Sequence, residues 1–263
     1  MNLDLTGKNA LVCGGSRGIG QAIAIELAQL GANVTLSSRT ESLLKETANT
    51  LDTSKGNTHD YFTADFSKPE SLKSSLESYL ISSGKQFNIL INNTGGPAGG
   101  PIVNADTSEF LAAFNNHLIC NHILVQALLP SLKSTGYGRI VNIISTSVKV
   151  PLNGLGVSNT VRGAVASWSK TLANELGPFG ITVNNILPGA TNTDRLKSII
   201  ETKAAKTNQE KESVSQGMQN VIPMARFGEP NEIANVAAFL CTPAAAYVSG
   251  QSIAVDGGRT PSL

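Results

Sequence analysis

The chain has 263 residues, 41% of them apolar and 15% charged, and carries a formal net charge of +1. That balance supports one large folded domain with a real core and excludes an intrinsically disordered chain. It gives no electrostatic reason for binding nucleic acid or an anionic membrane, and no apolar run approaches the roughly 18 residues of a membrane span.

Segments 9–13, 33–37, 60–64, 88–92, 139–144, 181–186 and 252–255 are short, mostly continuous apolar runs rich in β-branched residues. Such runs are the pattern of strands covered on both faces. Helical spacing returns between them. Ile19, Ile23, Leu27 and Leu30 follow the first run, Trp168, Leu172 and Leu176 precede the sixth, and Ile233, Ala237 and Leu240 precede the last. The alternation predicts an α/β fold: a doubly wound parallel sheet of about seven strands with helices on both faces, in one domain spanning 1–263. Within it, 194–222 is charged, helical and interrupted by Gly217. It is predicted to be an insertion near the carboxyl ends of the strands, covering a ligand crevice as a lid.

The first strand runs into Cys13-Gly14-Gly15-Ser16-Arg17-Gly18-Ile19-Gly20. A glycine turn between a first strand and a helix lets backbone amides approach a pyrophosphate at the helix N-terminus, as in a Rossmann-type dinucleotide site. The same stretch contains Gly14-x-Ser16-x-Gly18, the spacing of a serine-hydrolase elbow. That reading needs a histidine last in chain order, and His59, His117 and His122 offer none near the C-terminus. The acidic residue that grips a ribose 2′-hydroxyl should end the second strand, yet that strand ends in Ser37-Ser38-Arg39. Arg39 and Arg17 are placed to meet a 2′-phosphate, and Ser38 adds a hydroxyl donor. NADP(H) is therefore the expected cofactor.

Further motifs follow: Asp65 after the third strand, Asn92-Asn93-Thr94-Gly95 after the fourth, Ser145 after the fifth, Pro188-Gly189 with Thr193, and a C-terminal block from Arg226 to Gly258. Together with the glycine turn, these resemble the short-chain dehydrogenase/reductase family over nearly the whole chain, close in pattern to the 3-oxoacyl-carrier-protein reductases. The resemblance implies that Asp65 holds adenine, with Phe66 beside it, and that Asn93, Thr94 and Gly95 line the cofactor path. It implies that Ile186 and Thr193 flank the nicotinamide, that Pro188 and Gly189 belong to the same site, and that the C-terminal block helps build a homotetramer. Cys13 stands where the family usually has threonine, and Asn-Asn-Thr-Gly replaces its Asn-Asn-Ala-Gly.

A larger departure concerns proton transfer. The family uses a tyrosine acid, a lysine four residues on, a serine and an asparagine. Ser145 matches the serine, but the tyrosine position falls on Ser158 and the lysine position on Arg162. No tyrosine lies between Tyr137 and Tyr247 to restore the pattern. The asparagine position falls on His117, with Asn116 adjacent. A phenol titrates near pH 10 and an aliphatic hydroxyl nearer water's value of about 15.7, a gap of about 7–8 kcal/mol in proton affinity. Arg162 stays protonated; it is no acid, but it can hold the cofactor ribose and supply positive charge. Three repairs suggest themselves: His117, with an ordinary pKa of about 6.5; Lys149, four residues after Ser145; or a water held by Ser145, Ser158 and Arg162.

The expected function is thus NADP-dependent hydride transfer between nicotinamide and a carbonyl or secondary alcohol, with an unusual proton donor. The alternative is a weakly active or inactive NADP-binding relative acting as sensor or assembly partner. The expected partners are a small-molecule substrate and other copies of the chain, with neither nucleic acid nor membrane. Cys13, Cys120 and Cys241, odd in number and far apart, read as buried thiols rather than disulfide or metal ligands. With no signal peptide recognisable at the N-terminus, a cytoplasmic location is expected.

Overall fold

The first strand, β1 (Asn9–Cys13), is inaccessible to solvent from Ala10 onward. Alternate side chains of a strand point to opposite faces, so Ala10 and Val12 enter one core and Leu11 and Cys13 another. An apolar run without alternation is the direct consequence. The same holds through β2 (Asn33–Ser38), β4 (Ile89–Asn92), β5 (Gly138–Ile143) and most of β6 (Ile181–Pro188). The outer strands β3 (His59–Thr63) and β7 (Ser252–Val255) are less covered.

In the computed structural model, which describes residues 1–262, the seven strands form one sheet in the order β3-β2-β1-β4-β5-β6-β7. Every pairing is parallel. Helices cover both faces, as the alternation predicts. On one side lie α1 (Gly18–Gln29), α2 (Glu41–Thr50) and α9 (Pro230–Cys241), with Ile23, Leu27 and Leu44 near β1, β2 and β3 and Ile233, Ala237 and Leu240 near β5 and β6, all in one core. On the other lie α3 (Pro69–Ser83), α5 (Cys120–Ser134) and α6 (Gly156–Leu176), contributing Leu72, Leu76, Leu124, Leu128 and Leu176. Each fully buried Leu or Ile adds about 1.5–3 kcal/mol of transfer free energy. All three cysteines are free and buried. Among the described residues, no helix is long and apolar enough to cross a membrane.

The chain leaves β1 toward β2 and β3, then returns to β4 on the other side of β1. That reversal opens a crevice at the carboxyl ends of β1 and β4, where ligands bind in doubly wound sheets.

The 194–222 stretch is helical, but its break lies elsewhere than predicted. Gly217 sits inside α8 (Lys211–Gln219), and the interruption falls at Asn208, which takes a left-handed φ of 51° after α7 (Asp194–Thr207). Asparagine tolerates that conformation, and an isolated helical glycine costs only about 1 kcal/mol against alanine.

A row of amides crosses the sheet beneath the crevice. Asn92 Nδ2 donates to Asn142 Oδ1 at 2.8 Å. Asn142 Nδ2 donates to Asn185 Oδ1 at 3.0 Å and to Ser169 Oγ of α6 at 3.1 Å. Asn185 Nδ2 donates to Ser252 Oγ at 3.1 Å. These residues are register partners across β4, β5, β6 and β7. Replacing Asn142 by alanine orphans polar groups on three elements, so Asn142→Ala is expected to lower unfolding free energy by about 2–4 kcal/mol in a urea titration. A loss below about 1 kcal/mol would mean that the row contributes little.

Candidate functional site

The glycine turn is built by close approach. Gly14 has φ of +61°, and a Cβ there would lie 2.7 Å from both the Nδ2 and the carbonyl oxygen of Asn93. At Gly20 a Cβ would collide with the Gly14 carbonyl oxygen. Only glycine lets β1, α1 and the end of β4 meet so tightly. Asn93 completes the junction, its Nδ2 donating to Cys13 O at 3.2 Å. Helix α1 begins after Arg17 with no side-chain cap and no acidic residue in its first turn. Its leading amides remain available to an anion. Thr193, the N-cap of α7, sits across the turn, its methyl 3.5 Å from where a Gly18 Cβ would be.

Of the donors expected for an extra phosphate, Ser38 ends β2 with Arg39 just after it, and Arg17 lies in the turn after β1. Ser38 Oγ is buried without a partner, while Arg39 and Arg17 are exposed. Asp65 accepts from the amide and hydroxyl of Ser67 through Oδ1. These bonds, with the Arg39 charge nearby, hold its carboxyl below the usual range and leave it anionic. Phe66 is half-buried, its carbonyl accepting from Cys120 Sγ. Gly95 faces open space. Ile186 is fully buried in the core under the site, whereas Pro188 and Gly189, at the end of β6, are half-buried. The orphaned hydroxyl, the uncapped helix and the glycine cradle fit a phosphorylated dinucleotide.

Ser16 has no histidine partner. His59 bonds the Val34 amide, His117 bonds Thr94, and His122 accepts from Trp168.

Beyond the crevice, Ser145 caps the turn Thr146–Val148, its Oγ accepting from Ser147 N at 3.1 Å. Helix α6 packs on this turn and carries Ser158 and Arg162 four residues apart, hence on one face. Ser158 is half-buried. Arg162 is only 7% exposed and donates through Nη1 to Ile143 O at 3.1 Å. Burial, and then the charge of Arg195, brings its pKa down to about 10, so it remains a cation at neutral pH. Lys149 is exposed on the loop.

Helix α4 (Thr107–Phe114) runs into α5 through a π-helical turn, Asn115–Ile119, a wider geometry frequent at functional sites. It turns His117 inward, 1% exposed, with Nδ1 2.6 Å from Thr94 Oγ1. The two sequence departures Thr94 and His117 are therefore one hydrogen-bonded pair. Nε2, the other ring nitrogen, is buried and has no partner among the described residues. Burial, and then the Arg162 charge, pushes the His117 pKa down to about 2. The ordinary value near 6.5 that made His117 a candidate acid does not survive in this environment. Asn116 is half-buried beside it, its Oδ1 also unpartnered.

Sequence reading missed Arg195. It extends from the first turn of α7 and donates to Pro97 O at 2.7 Å, next to Gly96. A cleft of about 500 Å³ lies under the same stretch, lined by Leu196, Ile200, Ser215, Gln219 and Phe227 among others, and does not include Ser145, Arg162 or His117.

Comparison with known proteins agrees with this geometry. Residues 14–260 match the family model described as Enoyl-(Acyl carrier protein) reductase. A tropinone reductase homologue of Arabidopsis thaliana is 34% identical over 256 residues, covering 97% of this chain and 91% of the relative. An uncharacterised oxidoreductase of Mycobacterium tuberculosis is 32% identical over 98% of this chain and 95% of its own length. The L-sorbose reductase of Gluconobacter frateurii, solved with NADPH and L-sorbose, superposes with a TM-score of 0.93 at 30% identity, covering both chains fully.

The depressed His117 pKa has a consequence for stability. An unfolded histidine protonates below about 6.5 while His117 in the native protein does not, so the unfolded state gains protons as pH falls. Stability from this residue is complete above pH 6.5 and is lost below it, by up to about 1.4 kcal/mol per pH unit. The loss continues toward the native pKa of about 2. Urea titrations between pH 7 and pH 5 should show this slope in the native sequence and a shallower one in His117→Asn. Identical slopes would contradict a neutral buried imidazole.

Proposed function

The chain belongs to the short-chain dehydrogenase/reductase family, and on that footing we propose that it is an NADP-dependent oxidoreductase acting on a carbonyl or secondary alcohol without a tyrosine acid. The observation that carries this reading is a buried cationic Arg162 on α6, the helix that packs against the Ser145 turn, near enough to His117 for its charge to act on the imidazole. The pyrophosphate is assigned to Gly14, Gly18 and Gly20 with the amides of α1, and the 2′-phosphate to Ser38, Arg39 and Arg17. Asp65 and Phe66 are assigned to the adenine side, and Asn93, Thr94, Gly95, Pro188, Gly189 and Thr193 to the nicotinamide side. When bound, NADPH supplies the hydride.

Ser145 Oγ accepts from Ser147 N, which leaves its O–H to donate to the substrate oxygen. Arg162 brings a full positive charge to the site, and His117 Nε2 offers a second neutral donor. Preorganised donors of this kind, aimed where negative charge develops, are typically worth 10²–10³-fold each in kcat. His117 acts here as a hydrogen-bond donor rather than as a proton source, because its imidazolium is inaccessible at neutral pH. Of the three repairs, a water held by Ser145, Ser158 and Arg162 is therefore the favoured proton route. Residues 194–222 act as the lid, and the C-terminal block, which exposes Tyr247, joins copies into a homotetramer.

The same low His117 pKa also favours a second reading, a cofactor-binding relative with little turnover. NADPH oxidation across a panel of ketones and aldehydes separates the two, since the second reading predicts tight NADPH binding and no turnover on any of them. In the active case Ser145→Ala lowers kcat by about 10²-fold or more. Arg39→Ala weakens NADPH by about tenfold or more, while NADH affinity changes little. Equal losses for both dinucleotides would remove the basis for NADP selectivity.

A further inference from the structure

Two guanidinium groups reach the same small space beside the reaction site. A Cβ placed on Gly96 would lie 3.8 Å from Arg162 Nη2 and 3.9 Å from Arg195 Nη2. Gly96 has no side chain, so that space stays open between them. Neither arginine belongs to any ion pair among the described residues. Arg162 is nine-tenths buried and gives one hydrogen bond, to Ile143 O. Arg195, more exposed, gives one to Pro97 O. Two cations approaching one space with no carboxylate between them repel each other, and burial makes that costly. An anion removes the conflict and satisfies the free N–H groups.

The cofactor's phosphates do not fill this role. The glycine turn and the amides of α1 serve the pyrophosphate, and Ser38 with Arg39 serves the 2′-phosphate. Those assignments fall on the β1–α1 turn and the end of β2, whereas Gly96 follows β4; the cofactor ribose, which the resemblance gives to Arg162, is the competing occupant, and the NADPH titration below distinguishes it.

We propose that Arg162 and Arg195 grip the carboxylate of the substrate, and hence that the chain reduces oxo acids or oxidises the corresponding hydroxy acids. This rests on the oxidoreductase reading above and deepens it. Two guanidinium nitrogens face the space, which matches the two coplanar oxygens of a carboxylate better than the three of a phosphate. Because Arg162 also neighbours His117, the carboxylate lies within a few bonds of the reacting carbonyl. Arg195, on the first turn of the lid, joins substrate charge to the position of that lid.

The test compares pyruvate, 3-oxobutanoate and 4-oxopentanoate with their methyl esters as substrates with NADPH. At least one acid is expected to exceed its ester by about tenfold or more in kcat/KM. Arg195→Met should erase most of that preference by raising KM for the acid, and Arg195→Lys should restore part of it. NADPH affinity, followed by fluorescence titration, should change far less than acid affinity in both variants. Esters matching or surpassing every acid would overturn the proposal. So would an Arg195→Met variant whose NADPH affinity falls as much as its acid affinity, since Arg195 would then be a cofactor ligand. Should no compound turn over, the oxidoreductase reading fails, and calorimetry with and without NADP+ tests the anion pocket alone. Binding of an acid, but not its ester, to the native protein and its loss in Arg195→Met support the pocket; equal binding, or none, overturns it.

Discussion

A cation sealed into the end of a parallel sheet governs how this site can work. Moving a guanidinium out of water costs several kcal/mol unless its surroundings compensate, and Arg162 has only the Ile143 carbonyl as a protein acceptor. That bond joins α6 to the carboxyl end of β5. The asparagine row runs just below, fixing β4, β5, β6 and β7 in one register. Charge at the top and amides beneath are held by neighbouring strands of one sheet.

The same constraint explains why arginine, rather than lysine, suits this buried position. A buried ammonium readily loses its proton. Burial brings Arg162 to about 10, still well above neutrality. The cation survives at the cost of a movable proton, which fits a site with serine at position 158. Thr94 and His117 follow the same logic. The threonine hydroxyl pairs with Nδ1, while the Arg162 charge adds to burial in keeping the ring neutral. Thr94, His117 and Arg162 thus act on one another electrostatically.

The strands and the glycine turn were legible because their causes are local. Two-sided burial writes continuous apolar runs at Ala10–Cys13 and Ile89–Ile91, and tight backbone approach demands glycine at positions 14 and 20. The helix break was misplaced at Gly217 because breaking depends on where the chain must turn, and Asn208 accepts the left-handed conformation as well. The state of His117 was illegible, since its pKa reflects burial and a neighbour 45 residues away in sequence. Arg195 was illegible for the same reason: only the folded chain carries it to Gly96 and Arg162.

The π-helical turn at Asn115–Ile119 has a geometric corollary. It holds one more residue than an ordinary helical turn would, and each residue turns a helix by about 100°. A chain with one codon deleted just after His117 would close that turn and bring Asn116 round to the inward position. Which side chain faces inward at this junction is therefore set by the junction's length as well as by its residues.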